Sequence, residues 1–212
     1  MKIYIDPGHS GVPPLDPGAV NGNRYEAVDN LMLGLAVQKL FVQHGHQAKM
    51  SRIGNIYRSI YQRASWANKW DADFLLSLHR NASTNAMEHG IETLISTGAS
   101  MRTTLAAFIV QEKLVAVAKQ ADRGIKARSG LPVLSKTNMP SIHVEVGFIT
   151  NKRDNELFNR HLHDYAAAIL AGVLEVYGTQ QKPLVRPDMG TLWAEEYWNY
   201  NNRRGIVAGK MR

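Results

Sequence analysis

The chain of 212 residues contains no cysteine. This excludes disulfides, thiol nucleophiles and cysteine-ligated metals, so a bound metal would need histidine, aspartate or glutamate ligands. The chain also lacks an apolar run close to the roughly 20 residues that span a bilayer. We therefore expect no membrane-spanning segment.

No signal peptide is recognisable at the amino terminus. Residues 1–6 (Met-Lys-Ile-Tyr-Ile-Asp) read directly as a first strand, without the apolar segment that an export signal carries. We therefore expect a mature chain that begins at Met1, or export by another route.

Acidic residues are outnumbered by basic ones. The 25 Lys and Arg residues and 18 Asp and Glu residues give a formal charge of +7, which favours a polyanionic partner. No predicted helix is crowded with Arg and Lys, and no basic run is interleaved with aromatic residues, so we expect no nucleic-acid partner. A hydrophobic content of 44% and a charged content of 20% are typical of a folded globular chain.

Strand and helix patterns alternate along most of the chain. Residues 73–79 form a nearly continuous apolar run, which suits a strand covered on both faces, as in parallel sheets. The patterns predict an α/β fold, with a mostly parallel twisted sheet and helices on both faces. The predicted strands are 2–6, 47–50, 73–79, 91–96 and 141–148, and the predicted helices are 26–44, 57–70, 101–119 and 165–177.

Four polar residues occupy the positions where such a sheet presents ligands, at strand ends or at a helix start. They are His9, Glu26, His79 and Glu145. Two histidines and one carboxylate are a common set for catalytic zinc, and a further carboxylate can shuttle protons. Residue types and spacing alone favour the plainer reading, hydrogen-bonded loop residues.

Local motifs around these residues carry a family resemblance. They are residues 5–11 (Ile-Asp-Pro-Gly-His-Ser-Gly), residues 16–19 (Asp-Pro-Gly-Ala), Glu26 with Asn30 four residues on, residues 77–82 (Ser-Leu-His-Arg-Asn-Ala) and residues 144–151 (Val-Glu-Val-Gly-Phe-Ile-Thr-Asn). These segments resemble motifs of the zinc-dependent N-acetylmuramoyl-L-alanine amidases of type 3. Arg63 and Asp73 also fall where this family keeps an arginine and an aspartate. The resemblance runs in order from Lys2 to about Tyr177.

The resemblance implies that His9, Glu26 and His79 bind Zn²⁺ and that Glu145 is the catalytic carboxylate. It implies hydrolysis of the amide between the lactyl group of N-acetylmuramic acid and L-alanine in peptidoglycan, by zinc-activated water with Glu145 as general base and acid. The expected protein is a monomeric phage endolysin or bacterial autolysin that acts at the cell wall after release by holin or lysis.

The chain departs from the family pattern at three places. Residues 12–15 lengthen the first loop. Arg80 stands where a small residue is usual; we expect its side chain to point to solvent, and the alternative is a contact with a carboxylate of the stem peptide. His143 replaces an aliphatic residue, and we expect a packed, hydrogen-bonded histidine there rather than a fourth ligand. Asn30 and Asn81 are expected either to orient ligands or to be ordinary polar and turn residues.

The chain is predicted to divide into three parts. Residues 1–178 form the catalytic domain, and the polar residues 179–187, which include two prolines, form a linker. The aromatic-rich residues 188–212 resemble the first half of an S-layer-homology repeat that binds anionic wall polymers. The alternative is a helical tail packed on the catalytic domain through Trp193, Tyr197 and Trp198.

Two other functions stay open from the residues alone. A zinc carboxypeptidase that shortens stem peptides could use the same two histidines and glutamate. A wall-binding module without activity is the second alternative, although the presence of all four polar residues argues against it.

Overall fold

The computed structural model describes residues 1–178, which form one compact unit. The predicted linker, 179–187, and tail, 188–212, lie outside the described residues. In chain order the elements are β1 (Lys2–Pro7), β2 (Val20–Asn21), β3 (Arg24–Tyr25), α1 (Glu26–Gln43), β4 (Gln47–Met50), α2 (Ile60–Lys69), β5 (Phe74–Asn81), β6 (Ile91–Ser96), α3 (Met101–Ala118), β7 (Asp122–Arg128), α4 (Pro132–Ser135), β8 (Ser141–Phe148) and α5 (Lys152–Tyr177).

The main sheet has six strands in the order β4-β1-β5-β8-β6-β7. The pairs β4/β1, β1/β5, β5/β8 and β6/β7 are parallel, and only β6/β8 is antiparallel within this sheet. The predicted mostly parallel α/β fold is confirmed. Because β1, β5 and β8 are adjacent and run the same way, their carboxyl ends meet at one edge of the sheet.

Helices cover both faces of the sheet, as predicted. Successive side chains of β1 point to opposite faces. Ile3 and Ile5 pack with residues of α1, α3 and α5, whereas Tyr4 packs with residues of α2 and α4. All three side chains are buried, which explains why the strand shows no polar alternation.

The structure contains four elements that were not predicted, β2, β3, β7 and α4, and two helices begin at other residues than predicted. Strand β7 was not predicted, because Asp122–Arg128 is largely charged and lies at the sheet edge, where one side faces solvent. Helix α2 begins at Ile60 because Ser59 caps it and forms a capping box with Gln62. Helix α5 begins at Lys152, well before the predicted start, with Asn151 as its cap.

No helix within residues 1–178 combines the length and apolar character that crossing a membrane requires.

Candidate metal centre

His9 follows β1 in a left-handed conformation, with φ of 61°. Arg63 donates a hydrogen bond to the backbone carbonyl of His9, and this contact holds the strained turn. The ring lies between two carboxylates: Nδ1 is 3.0 Å from both oxygens of Asp16, and Nε2 is 3.1 Å from Oε2 of Glu26. Asp16 therefore orients the His9 ring through Nδ1, and Nε2 faces the Glu26 carboxylate.

Glu26 is the first residue of α1, and its carboxylate lies between the two histidine rings. Oε1 is 2.8 Å from Nδ1 of His79 and accepts hydrogen bonds from the Arg80 backbone N–H at 3.2 Å and from Asn30 Nδ2 at 3.2 Å. Oε2 accepts from the Ala19 backbone N–H at 2.9 Å. Asn30 lies one helical turn after Glu26 and contacts its carboxylate. This contact fits the first of the two expectations for Asn30, that it orients a neighbouring side chain.

Two glycines make room for the cluster. A Cβ on Gly8 would lie 2.1 Å from the His79 ring, and a Cβ on Gly18 would lie 2.5 Å from His9 and 2.6 Å from Glu26. Gly18 also has a φ of 68°, which favours glycine. The close approach of these side chains to the backbone explains why the segment between β1 and β2 carries glycine at both positions.

The donor set fits a zinc ion. His9, Glu26 and His79 each offer one ligand atom, and these atoms all lie within 4.8 Å of one another. Two imidazole nitrogens and one carboxylate oxygen are donors that zinc accepts, and three protein ligands leave a fourth position for substrate or water.

The electrostatics of the cluster also suit a cation. Burial would raise the pKa of Glu26, but hydrogen bonds and charges from His79 and His9 hold that pKa well below its usual value. Burial would lower the pKa of His9, but Glu26 and then Asp16 outweigh it and raise the pKa to about 9. Without a metal, the buried carboxylate thus keeps a positive charge beside it.

Glu145 lies on β8 directly across from His79 on β5 in the strand register. Its Oε1 is 2.9 Å from Nε2 of His143, and its Oε2 is buried without a hydrogen-bond partner among residues 1–178. The His143 ring stacks on the His79 ring, with centroids 4.2 Å apart. Burial lowers the pKa of His143, and the charge of His79 lowers it further.

The environment of His143 matches the expectation of a packed, hydrogen-bonded histidine. His79, His143 and Glu145 do form a second group whose ligand atoms lie within 4.8 Å of one another. The two groups share His79, and they differ in that the Glu26 carboxylate contacts the rings of both His9 and His79, whereas Glu145 is hydrogen-bonded to His143.

A cavity of about 260 Å³ opens beside His9 and His79. Its polar wall includes His9, His79, Arg58 and Arg63. Its apolar wall is formed by Ile60, Leu131 and Val133. A substrate bound there would lie against both the metal cluster and an apolar surface.

Comparison with known proteins decides the family. The sequence pattern of the N-acetylmuramoyl-L-alanine amidase family (Amidase_3) matches residues 3–175. The chain belongs to this family.

Two curated relatives are amidases from Bacillus. The N-acetylmuramoyl-L-alanine amidase CwlM of Bacillus licheniformis is 34% identical over 158 residues, which are 74% of this chain and 60% of that protein. The sporulation-specific N-acetylmuramoyl-L-alanine amidase of Bacillus subtilis is 33% identical, over 73% of this chain and 58% of that protein. The chain thus spans about three fifths of the length of these relatives.

A solved structure supports the same family. The crystal structure of N-acetylmuramoyl-L-alanine amidase from Clostridium difficile 630 aligns with a TM-score of 0.78 and 33% identity, covering 85% of this chain and 98% of that chain. Because that chain is covered almost completely, its fold is shared by the aligned 85% of this chain.

The expectation that Arg80 points to solvent is wrong. The Arg80 side chain of this amidase-family chain is fully buried, with Nη1 2.5 Å from Asp29 and Nη2 donating to Asn155 at 2.7 Å. Its guanidinium lies over the Phe158 ring at 4.2 Å. Arg80 follows His79 on β5, so it points to the opposite face of the sheet, into the space between α1 and α5.

Asn81 is the last residue of β5, and its side chain makes no hydrogen bond to His9, Glu26 or His79 within residues 1–178. Its Oδ1 accepts a hydrogen bond from the Ala82 backbone N–H, which fits the second of the two expectations, an ordinary polar residue. Asp16, which sequence reasoning did not single out, is the residue that orients His9. Its position in the motif of residues 16–19, seven residues after His9, was the available signal.

Proposed function

We propose that this chain hydrolyses the amide between the lactyl group of N-acetylmuramic acid and L-alanine in peptidoglycan. His9, Glu26 and His79 would hold Zn²⁺, and Glu145 would be the catalytic carboxylate. The observation that supports this most is the ligand cluster, with ligand atoms within 4.8 Å of one another, beside the unpartnered Oε2 of Glu145. Family membership and the amidase relatives agree with it.

When bound, zinc lowers the pKa of water towards 7 and polarises a carbonyl oxygen. The protein's own groups complete the reaction. Hydrogen bonding to His143 occupies Oε1 of Glu145, so Oε2 is the atom that accepts a proton from water. Glu145 then passes this proton to the leaving amine of L-alanine, because a free carboxylate can act first as base and then as acid.

Asp16 and Asn30 keep the ligands in place. Asp16 holds Nδ1 of His9, and Asn30 holds Oε1 of Glu26. Such contacts fix the orientation of the ligand side chains and raise their affinity for the metal. These two residues therefore position the cluster without touching substrate.

The reaction is tested by analysing the products released from purified sacculi. An amidase frees intact stem peptides with a new amino-terminal alanine and leaves lactyl groups on the glycan. Stems shortened at their carboxyl end would instead show a zinc carboxypeptidase, and binding without any product would show a wall-binding module.

We further propose that residues 1–178 carry the activity, that the chain acts as a monomer, and that its charge of +7 favours anionic wall polymers as secondary partners. Sedimentation of the pure chain tests whether it is a monomer. Binding to walls stripped of their anionic polymers tests the secondary partner.

A further inference from the structure

Arg58 lies immediately before α2 and lines the cavity beside His9 and His79. Its backbone is fixed at both polar groups: the N–H donates to Ser10 Oγ at 3.3 Å, and the carbonyl accepts from Arg63 Nε at 3.1 Å. Its guanidinium lies over the Trp66 ring, 4.8 Å from the centroid. The side chain is therefore held in one place next to the metal centre.

The hydrogen-bonding capacity of this guanidinium is largely unused. Nη1 donates to the Tyr57 carbonyl at 2.9 Å, but the buried Nε has no partner, and no carboxylate within residues 1–178 pairs with Arg58. The other arginine of the cavity differs, since Arg63 pairs with Asp6 at 2.6 Å. Because a buried donor is normally satisfied, the acceptor for Arg58 is expected to come from a bound molecule.

The chemistry of the substrate limits where such an acceptor can be. In peptidoglycan the carboxyl of muramic acid is consumed in the amide that is cut, and the N-acetylated sugars are uncharged. Free carboxylates therefore belong to the stem peptide. A planar guanidinium is well suited to pairing with a carboxylate through two parallel hydrogen bonds.

We infer that Arg58 binds a carboxylate of the stem peptide, on a residue beyond L-alanine, and so directs the peptide to the side of the cleft next to α2. Ile60, Leu131 and Val133, which form the apolar wall there, contact the uncharged part of the peptide. The inference rests on the proposed amidase function and adds to it a preference for stems whose carboxylates are free.

The test compares two walls that differ in one functional group. One preparation of sacculi keeps its stem carboxylates, and in the other they are converted to carboxamides with a carbodiimide and ammonia. The initial rate of release of amino-terminal alanine is measured on both for the parent, Arg58→Gln, Arg58→Lys and the control Arg160→Gln. Arg160 is exposed on α5, which packs on the opposite face of the sheet, and its substitution removes the same charge.

The parent and Arg160→Gln should cut the carboxylate wall about tenfold or more faster than the carboxamide wall, as loss of a charge-assisted pair predicts. In Arg58→Gln this ratio should fall to about one, because only the rate on the carboxylate wall drops. Arg58→Lys, which keeps the charge but not the planar fork, should give an intermediate ratio and covers the case in which the Gln variant does not fold.

A ratio in Arg58→Gln equal to that of the parent overturns the inference and leaves the amidase function standing. Equal losses on both walls also overturn it, because they indicate a purely structural role for Arg58. Failure of the parent to release alanine from either wall overturns the proposed function itself.

Discussion

Glu145 and His143 lie two residues apart on β8, and Oε1 of the glutamate is 2.9 Å from Nε2 of the histidine. The other oxygen, Oε2, is buried and has no partner within residues 1–178. The histidine thus fixes the carboxylate in one rotamer while leaving one oxygen available. This asymmetry distinguishes Glu145 from Glu26, both of whose oxygens are hydrogen-bonded.

Replacing Glu145 with glutamine should remove the proton carrier but not the metal. We expect Glu145→Gln to keep its zinc and its melting temperature while the rate on sacculi falls by about 10²–10⁴-fold, the usual contribution of a positioned acid–base group. Atomic absorption and alanine release measure the two quantities, with exposed Glu112→Gln as the control. Loss of zinc from Glu145→Gln would show that Glu145 is a ligand instead.

Removing a ligand should abolish zinc binding and activity together. His9→Ala, Glu26→Ala and His79→Ala should each lose stoichiometric zinc, whereas His89→Ala, at an exposed position, should keep it. A chelator should inactivate the parent, and added Zn²⁺ should restore it. Full activity after exhaustive chelation and metal-free dialysis would disprove the zinc mechanism.

Zinc affinity should rise with pH in the neutral range. The pKa of His9 is raised to about 9 without a metal, and only the neutral imidazole binds zinc. Below that pKa, binding must displace a proton, so the affinity should increase by about tenfold per pH unit. Titration calorimetry at pH 7 in two buffers with different ionisation enthalpies should detect release of about one proton. Identical heats in both buffers would contradict this.

Breaking the buried pair of Arg80 and Asp29 should lower the stability of the fold strongly. Arg80→Ala leaves Asp29 with Arg24 as its remaining cation and empties the space over the Phe158 ring, and we expect the free energy of unfolding to fall by about 3–5 kcal/mol. Urea denaturation followed by circular dichroism measures the loss. Exposed Arg128→Ala should change the unfolding free energy by no more than about 0.5 kcal/mol. A similarly small change for Arg80→Ala would mean that the pair is dispensable.

The sequence predicted the elements that the core requires. Strand β5 and helix α1 were predicted with nearly correct bounds, because burial imposes an apolar pattern on them. Strand β7 escaped prediction because its edge position permits charged residues. The first half of α5 was missed for a related reason: its polar surface and the non-helical His161 interrupt the apolar period.

The candidate site shows the same division. The motifs pointed to His9, Glu26 and His79, and the structure brings these three side chains together. The burial of Arg80 was not foreseen, because it depends on Asp29 and Asn155 from two other elements. Contacts between residues distant in sequence leave no local pattern, so single-sequence reasoning defaults to an exposed arginine.

Access to the candidate metal centre depends on whether a segment of the chain covers it. An autoinhibitory helix would need chain length beyond what the sheet layers use, and residues 91–124 offer none. That segment contains β6, α3 and the first residues of β7. Helix α3 packs against α5, where a Cβ on Gly172 would lie 2.7 Å from Val110, so α3 belongs to a sheet-covering layer.

We therefore expect the purified chain to be active without an activator protein. The cavity beside His9 and His79 is formed within residues 1–178, and no residue of α3 lines it. The test is to assay the pure chain alone on Gram-positive sacculi, with Glu145→Gln as the inactive control. Alanine release should begin without a lag and should not increase after limited proteolysis. An inactive parent that becomes active after limited proteolysis or addition of a second protein would show that the site is autoinhibited and would contradict the prediction.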